Sequence, residues 1–411
     1  MKKIFFYLAL LLTCFSCKIN PIEKQVADEF IPFSNEYESF DIIRNAVMDK
    51  RILILGEAGH GDGMTFEIKS KLIEFLNKNN DYDIILEGMG FLDGAILQGI
   101  LPPLCINRNY LAIKNAWNPL WSLSKETQSM VTSMKNKEIQ YWGMDCQPSL
   151  CDIWLIPYLR ESFPYLSNMF DEQCLDSLAN IHDRIVNFDT SLSGSELDFF
   201  DLKMNLIKAA LNNEIDIEKK SILNMTIDNA LAFSNMMRLG FDDWDAQNEG
   251  INIRDKQMAE NVKWYLERFP KRKIIIWTAN FHGAKEINQI NYGKEPDKDL
   301  YNKYVLLGEY LENNFPEQVY SLAFTSGGGS YGYYYENDSV AIIQDSTSVE
   351  YYLVQNDVKF AYYDLSKQNN LKDKTFNSTL LGYDCKSGKW AQSFDGIFYI
   401  GQNHKAHEIV R

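Results

Sequence analysis

Positive charge is in short supply. Across 411 residues, 41 Lys and Arg stand against 56 Asp and Glu, for a formal net charge of -15. Nucleic acids are held mainly by Lys and Arg on their phosphates, so nucleic acid is excluded as the expected partner. The carboxylate surplus is read first as solubility, with some steering of cationic substrates. Familiar catalytic signatures are also missing. The chain has no P-loop and no H-E-x-x-H helix, which sets aside those nucleotide and zinc-protease sites. No serine nucleophile elbow is expected, so a serine hydrolase of the usual kind is set aside too. Beyond the leader there is no C-x-x-C spacing and no zinc-finger pattern. After the first 17 residues no apolar run is long enough to span a bilayer. Histidine is scarce, with five in all, and that narrows the search for a base near neutral pH.

The N-terminus reads as a targeting segment. Lys2 and Lys3 precede an apolar run from Ile4 to Phe15, too short for a comfortable membrane span. The Ser16-Cys17 junction resembles a bacterial lipoprotein cleavage site, with Cys17 as the lipidated residue. Residues 1–17 are therefore read as a lipoprotein-type signal peptide and 18–39 as a tether. The expected location is the cell envelope, lipid-anchored on the periplasmic side, with the membrane a partner only through that lipid. Beyond Cys14 and Cys17 five cysteines remain, Cys105, Cys146, Cys151, Cys174 and Cys385, an odd number that leaves at least one free thiol. They are read mainly as buried and inert.

Four short apolar runs bounded by glycine follow: Arg51 to Leu55, Asp83 to Leu86, Ile139 to Trp142 and Lys273 to Trp277. Such runs are strands buried on both faces, hence a parallel sheet. Helical patterns separate them. Thr65 to Asn77 places Ile68, Leu72, Phe75 and Leu76 on one face, with Thr65 as the expected N-cap. Residues 153–249 carry long amphipathic patterns and no convincing strand. The fold class is α/β, a mostly parallel central sheet with flanking helices. Residues 40–152 and 250–411 form the catalytic domain, and 153–249 a helical insertion subdomain.

Each of the four strands ends in a polar group: Glu57 with His60, Glu87, Asp145 and His282. In parallel α/β sheets the carboxyl ends share one edge, where ligands bind. His60 sits in the turn Gly56-Glu57-Ala58-Gly59-His60-Gly61, whose glycines allow a tight bend. A carboxylate on one imidazole nitrogen, from Glu57 or Glu87, would fix the tautomer and let the other nitrogen take a proton from water. Lys69 and His282 are candidates to stabilise an oxyanion. His182, His404 and His407 have no such context and receive no role. Gly327-Gly328-Gly329-Ser330-Tyr331-Gly332 formally matches G-x-G-x-x-G, but a tyrosine run follows it rather than a helix, so it reads as a flexible loop.

Taken in order, these motifs resemble the erythromycin esterase family. The resemblance rests on Leu55-Gly56-Glu57-Ala58-Gly59-His60-Gly61, the helix carrying Lys69, and Ile85-Leu86-Glu87. It continues through Tyr141-Trp142-Gly143-Met144-Asp145, Arg254-Asp255, Trp277-Thr278-Ala279-Asn280-Phe281-His282 and Phe394-Asp395-Gly396-Ile397. It implies an α/β domain with a helical subdomain, an open cleft, and esterase chemistry without a covalent serine. His60, Glu57, Glu87 and His282 would be catalytic; Lys69, Asp145, Arg254 and Asn280 would bind a small-molecule ester. Two positions depart from the pattern. Ala279 stands where the family has a first histidine, and Lys69 where an arginine is common. No cofactor is expected. The alternatives are a metallohydrolase with its metal at Glu57, His60, Glu87 and His282, and a non-catalytic ligand-binding lipoprotein.

Overall fold

A computed structural model describes residues 21–80, 82–98, 119–136, 138–148, 155–163, 165–213, 216–240, 244–293, 299–368 and 370–409. The leader, Cys14, Cys17, Cys105 and Cys151 lie outside the described residues. The strands are β1 (Ile31–Phe33), β2 (Ile52–Leu55), β3 (Tyr82–Gly90), β4 (Gln140–Asp145), β5 (Lys273–Trp277) and β6 (Val319–Ser326). They continue as β7 (Ser330–Tyr331), β8 (Val340–Ala341), β9 (Phe360–Asp364), β10 (Phe376–Leu381), β11 (Asp384–Gly388) and β12 (Gly396–Ile400).

Eight of these form one sheet in the order β1-β9-β12-β6-β2-β5-β3-β4. The six from β12 to β4 are parallel to their neighbours; β9 and β1 add antiparallel pairs at one edge. The four apolar runs thus become β2, β5, β3 and β4, consecutive in space. From β2 the chain moves to β3 and β4 and returns as β5 between β2 and β3. It then continues to β6 on the other flank of β2. Strand order reverses at β2 and β5, the position where open α/β sheets form their ligand crevice.

Alternation along the strands explains the unbroken apolar runs, since successive side chains point to opposite faces and here both are covered. On one face Ile52, Ile54, Ile84 and Ile274 join a core with Leu175, Phe200, Ile222 and Phe233. The latter come from helices α5 (Glu172–Val186), α6 (Gly194–Ala210) and α7 (Ile217–Leu239), and α4 (Phe91–Leu97) adds Leu92 to the same core. The helical insertion is therefore a layer of this fold that shares its core with the sheet. Its expected end at residue 249 falls inside α8 (Trp244–Arg268). On the other face Leu53, Leu55, Ile275 and Trp277 pack against Phe66, Ile68 and Leu72 of α3 (Gly63–Asn80) and Phe40 and Ile43 of α2 (Tyr37–Val47).

Several expectations change. The segment 18–39 is not a plain tether. Its part from Ile22 onward forms α1 (Ile22–Asp28), which buries Val26 and Ala27, and then edge strand β1. Pro32 is tolerated there because an edge strand does not need every N–H. Thr65 is not an N-cap, because α3 already begins at Gly63 and Phe66 N donates to Asp62 O. Of the glycine-rich stretch and the tyrosine run after it, only the two residues of β7 form a strand, paired with β8. Of the cysteines, Cys146 is free and buried, while Cys174 and Cys385 are free and only half-buried. Among the described residues no helix is long and apolar enough to cross a membrane.

Candidate active site

The turn after β2 is fixed on every side by backbone hydrogen bonds. Gly56 N donates to Leu322 O at 2.9 Å, and Asn280 N to Glu57 O at 2.8 Å. Gly382 N reaches Ala58 O at 3.1 Å, and Ala406 N reaches Gly61 O at 3.0 Å. Gly61 has a φ of 106°, which favours glycine. Gly56 faces a closer constraint, because a Cβ there would lie 2.0 Å from Asn280 Oδ1.

Inside this frame Glu57 is fully buried and carries three partners. Its Oε1 lies 2.7 Å from His60 Nδ1, and its Oε2 accepts from Lys69 Nζ and from Trp277 Nε1, each at 2.9 Å. Burial pushes the Glu57 carboxyl up, but the Lys69 charge and the His60 hydrogen bond outweigh it and hold it below its ordinary value. An anionic partner assigns the Nδ1 proton to His60, so Nε2 is left as the acceptor. The His60 side chain is 42% exposed, and its ring meets Trp121 edge-on with centroids 6.1 Å apart.

Lys69 is fully buried, with its ammonium 4.1 Å from the centre of the Trp277 ring. Burial pulls its pKa down to about 8, against the opposing pull of Glu57, Glu87 and Asp62. So placed, Lys69 serves as the counter-ion of Glu57, and the expected contact with substrate is replaced by this buried role. Glu87 is also buried; it accepts from Tyr141 Oη and contributes to the field that keeps Lys69 charged. The β3–β4 register slips between Glu87 and Gly90, and this irregularity sits beside the site.

A second histidine–carboxylate pair stands at the end of β5. His282 lies on the short helix α9 (Asn280–Gly283), and its Nδ1 is 2.9 Å from both oxygens of Asp255 on α8. Asp255 also accepts from Leu307 N at 2.8 Å, which holds the carboxylate in place. Next to it Arg254 grips Asp145, through Nε at 3.0 Å and Nη2 at 2.5 Å. Burial pulls the Arg254 guanidinium down, but Asp145 outweighs it and raises it above its ordinary value. A Cβ on Gly88 would lie 3.7 Å from Asp145 and 3.8 Å from Trp121. Gly88 thus lies beside both Asp145, held by Arg254, and the Trp121 ring that meets His60.

Asn280, expected to touch substrate, is spent on the scaffold. It is buried and donates to Phe324 O and Leu380 O, both at 2.7 Å, while Phe324 N donates to its Oδ1. Asp255 escaped the site reading because it lies one position from Arg254, inside a helix whose polar residues look like a solvated face. Asp62 escaped it as well. It is buried beside the turn, accepts from Gly59 N at 3.0 Å, and is pushed up to about 7 by burial.

Two earlier alternatives meet the geometry directly. Among the described residues no three of Glu57, His60, Glu87 and His282 bring a ligand atom each within 4.8 Å of one another, and Lys69 supplies the positive charge beside Glu57. Gly328-Gly329-Ser330-Tyr331-Gly332 does spell G-x-S-x-G. Ser330, however, opens β7, with no helix following, so it is not a strand-to-helix elbow. That loop packs on the His60 turn instead, with Gly332 N donating to Gly61 O at 3.2 Å.

A mostly parallel α/β sheet with two histidine–carboxylate pairs along its carboxyl edge has the groups that general acid–base chemistry uses. The family described as Erythromycin esterase matches residues 114–402, and the chain belongs to that family. The match contains Asp145, Arg254, Asp255 and His282; Glu57, His60 and Lys69 precede it. The chain is 23% identical over 400 residues to "Putative hydrolase YbfO" of Bacillus subtilis (strain 168), covering 87% of this chain and 85% of that one. It is 24% identical over 352 residues to erythromycin esterase type II of Escherichia coli, covering 75% and 77%. The fold is similar to that of a histidine-to-asparagine mutant of the erythromycin esterase EreC in its open conformation. There the TM-score is 0.67 at 14% identity, over 91% of this chain and 96% of the other.

Proposed function

We propose that the protein hydrolyses a carboxylic ester with a water molecule activated by His60, without a covalent intermediate. The observation that carries this is the His60–Glu57 pair. A buried anion holds Nδ1 at 2.7 Å, and Nε2 belongs to a ring that solvent reaches. His60 Nε2 takes a proton from water as the oxygen attacks the ester carbonyl. The tetrahedral intermediate carries negative charge on its former carbonyl oxygen, and Arg254, fixed by Asp145, offers positive charge to it. His282, paired with Asp255 and entering the step protonated, gives its proton to the leaving alcohol as the C–O bond breaks, and exchange with solvent then takes the proton from His60 and restores the one on His282. The products are one acid and one alcohol. The names of the esterase relatives put macrolide lactones among the substrates to be tested. The expected lipid on Cys17 would place this activity at the cell envelope.

A panel of activated esters and macrolide lactones tests the proposal, using wild type and Asp255→Asn. Asparagine keeps an acceptor for Leu307 N but cannot balance a charged His282. The expected result is turnover of at least one ester by wild type and a loss of about 10²-fold in kcat in the variant, with KM little changed. A change in the acidic or basic limb of the pH profile should accompany it. No ester turnover across the panel would contradict the proposal.

A further inference from the structure

His404 and His407 come together with Glu126, which is far from them in sequence, and all three lie outside the catalytic pairs. Glu126 lies in the 3-10 turn Lys125–Thr127, and its side chain is only 4% exposed. His407 Nδ1 is 2.6 Å from Glu126 Oε1, and His404 Nδ1 is 3.9 Å from the same oxygen. The two imidazole rings are 5.0 Å apart, and one ligand atom from each of the three residues lies within 4.8 Å of the others. Among the described residues no other group of His, Cys, Asp and Glu gathers this way.

The geometry points to a site for a zinc-class divalent cation at Glu126, His404 and His407. Two imidazole nitrogens and one carboxylate oxygen are a ligand set suited to zinc, cobalt or nickel, with water completing the shell. Both Glu126 carboxylate oxygens accept from His407 N at 3.2 Å, which orients them toward the two rings. His404 Nδ1 is 2.9 Å from Lys405 O, which leaves Nε2 as the lone pair of that ring. A bound cation would draw the three ligand atoms to about 2.0–2.2 Å from itself. His407 is 60% exposed, which gives a cation access from solvent.

Such an ion would staple the C-terminal segment in place. That segment already receives Lys125 N at His407 O and Gly63 N at His404 O, each at 2.8 Å, and Ala406 N holds Gly61 O. The cation would thus brace the turn carrying His60 from behind, without touching the reacting groups.

The test is a titration of the metal-stripped full chain with zinc, followed by calorimetry, and with cobalt, followed by its visible bands. One equivalent should bind, cobalt should show tetrahedral absorption, and the melting temperature should rise by a few degrees. His407→Ala and His404→Ala should lose all three responses, while His60→Ala retains them, which separates this site from the catalytic pair. His407 is largely exposed, so its replacement leaves the core intact; matching circular dichroism checks this. No saturable binding to wild type, or binding unchanged in His407→Ala, would overturn the inference.

Discussion

Replacing His60 by alanine is expected to lower kcat/KM for the ester substrate by ~10²–10⁴-fold, the range a positioned general base supplies. The imidazole is the only partly exposed member of the cluster built on Glu57, so its removal takes away the proton acceptor and little of the packing. Glu57 keeps its hydrogen bonds from Lys69 and Trp277. The melting temperature should therefore stay close to that of wild type while turnover falls. A comparable fall in both would mean the turn has collapsed, and circular dichroism and denaturant titration separate the two outcomes.

Lys69→Met is expected to act on stability first. Methionine matches the length of the chain but leaves the Glu57 carboxylate buried without its counter-charge. Breaking a buried pair in this way costs roughly 3–5 kcal/mol, and urea denaturation would measure it. The contact with the Trp277 ring is lost as well. Activity should fall too, because Glu57 can then take up a proton and stop assigning the tautomer of His60. Burial lowers the Lys69 pKa to about 8. The ammonium is therefore complete well below that pH and is lost as pH rises through it. The profile of kcat/KM should fall on its alkaline side near pH 8 for this reason. Lys69→Arg, whose guanidinium does not deprotonate, should move that limb upward or remove it. An alkaline limb unmoved by Lys69→Arg would assign it to another group.

The convergence of four strand ends was legible in the sequence because each strand is a short apolar run closed by glycine and a polar residue. Glu57 and His60 were legible for the same reason, with the family resemblance adding their role. The strand order was not. Nothing in the runs themselves says that β5 inserts between β2 and β3, yet that insertion sets Trp277 against Glu57. Lys69 illustrates a second limit. Periodicity put it on a helix, but its burial follows from which face of α3 meets the sheet, and this turned an expected substrate contact into a counter-ion. Asn280 changed similarly once its amide was found bound to two backbone carbonyls. Asp255 and the Glu126–His404–His407 group depend on contacts between residues far apart in the chain, which local pattern does not encode. The edge strand β1 was hidden by its proline and polar neighbours.

The most direct test of the central claim is chemical rescue of His60→Ala. Turnover of the best ester would be followed as imidazole is added at fixed pH, and again as pH is varied. If His60 is the base that activates water, imidazole should restore part of the lost rate in proportion to its neutral form. It should not accelerate wild type to the same degree. Wild-type turnover by His60→Ala without any imidazole would contradict the account.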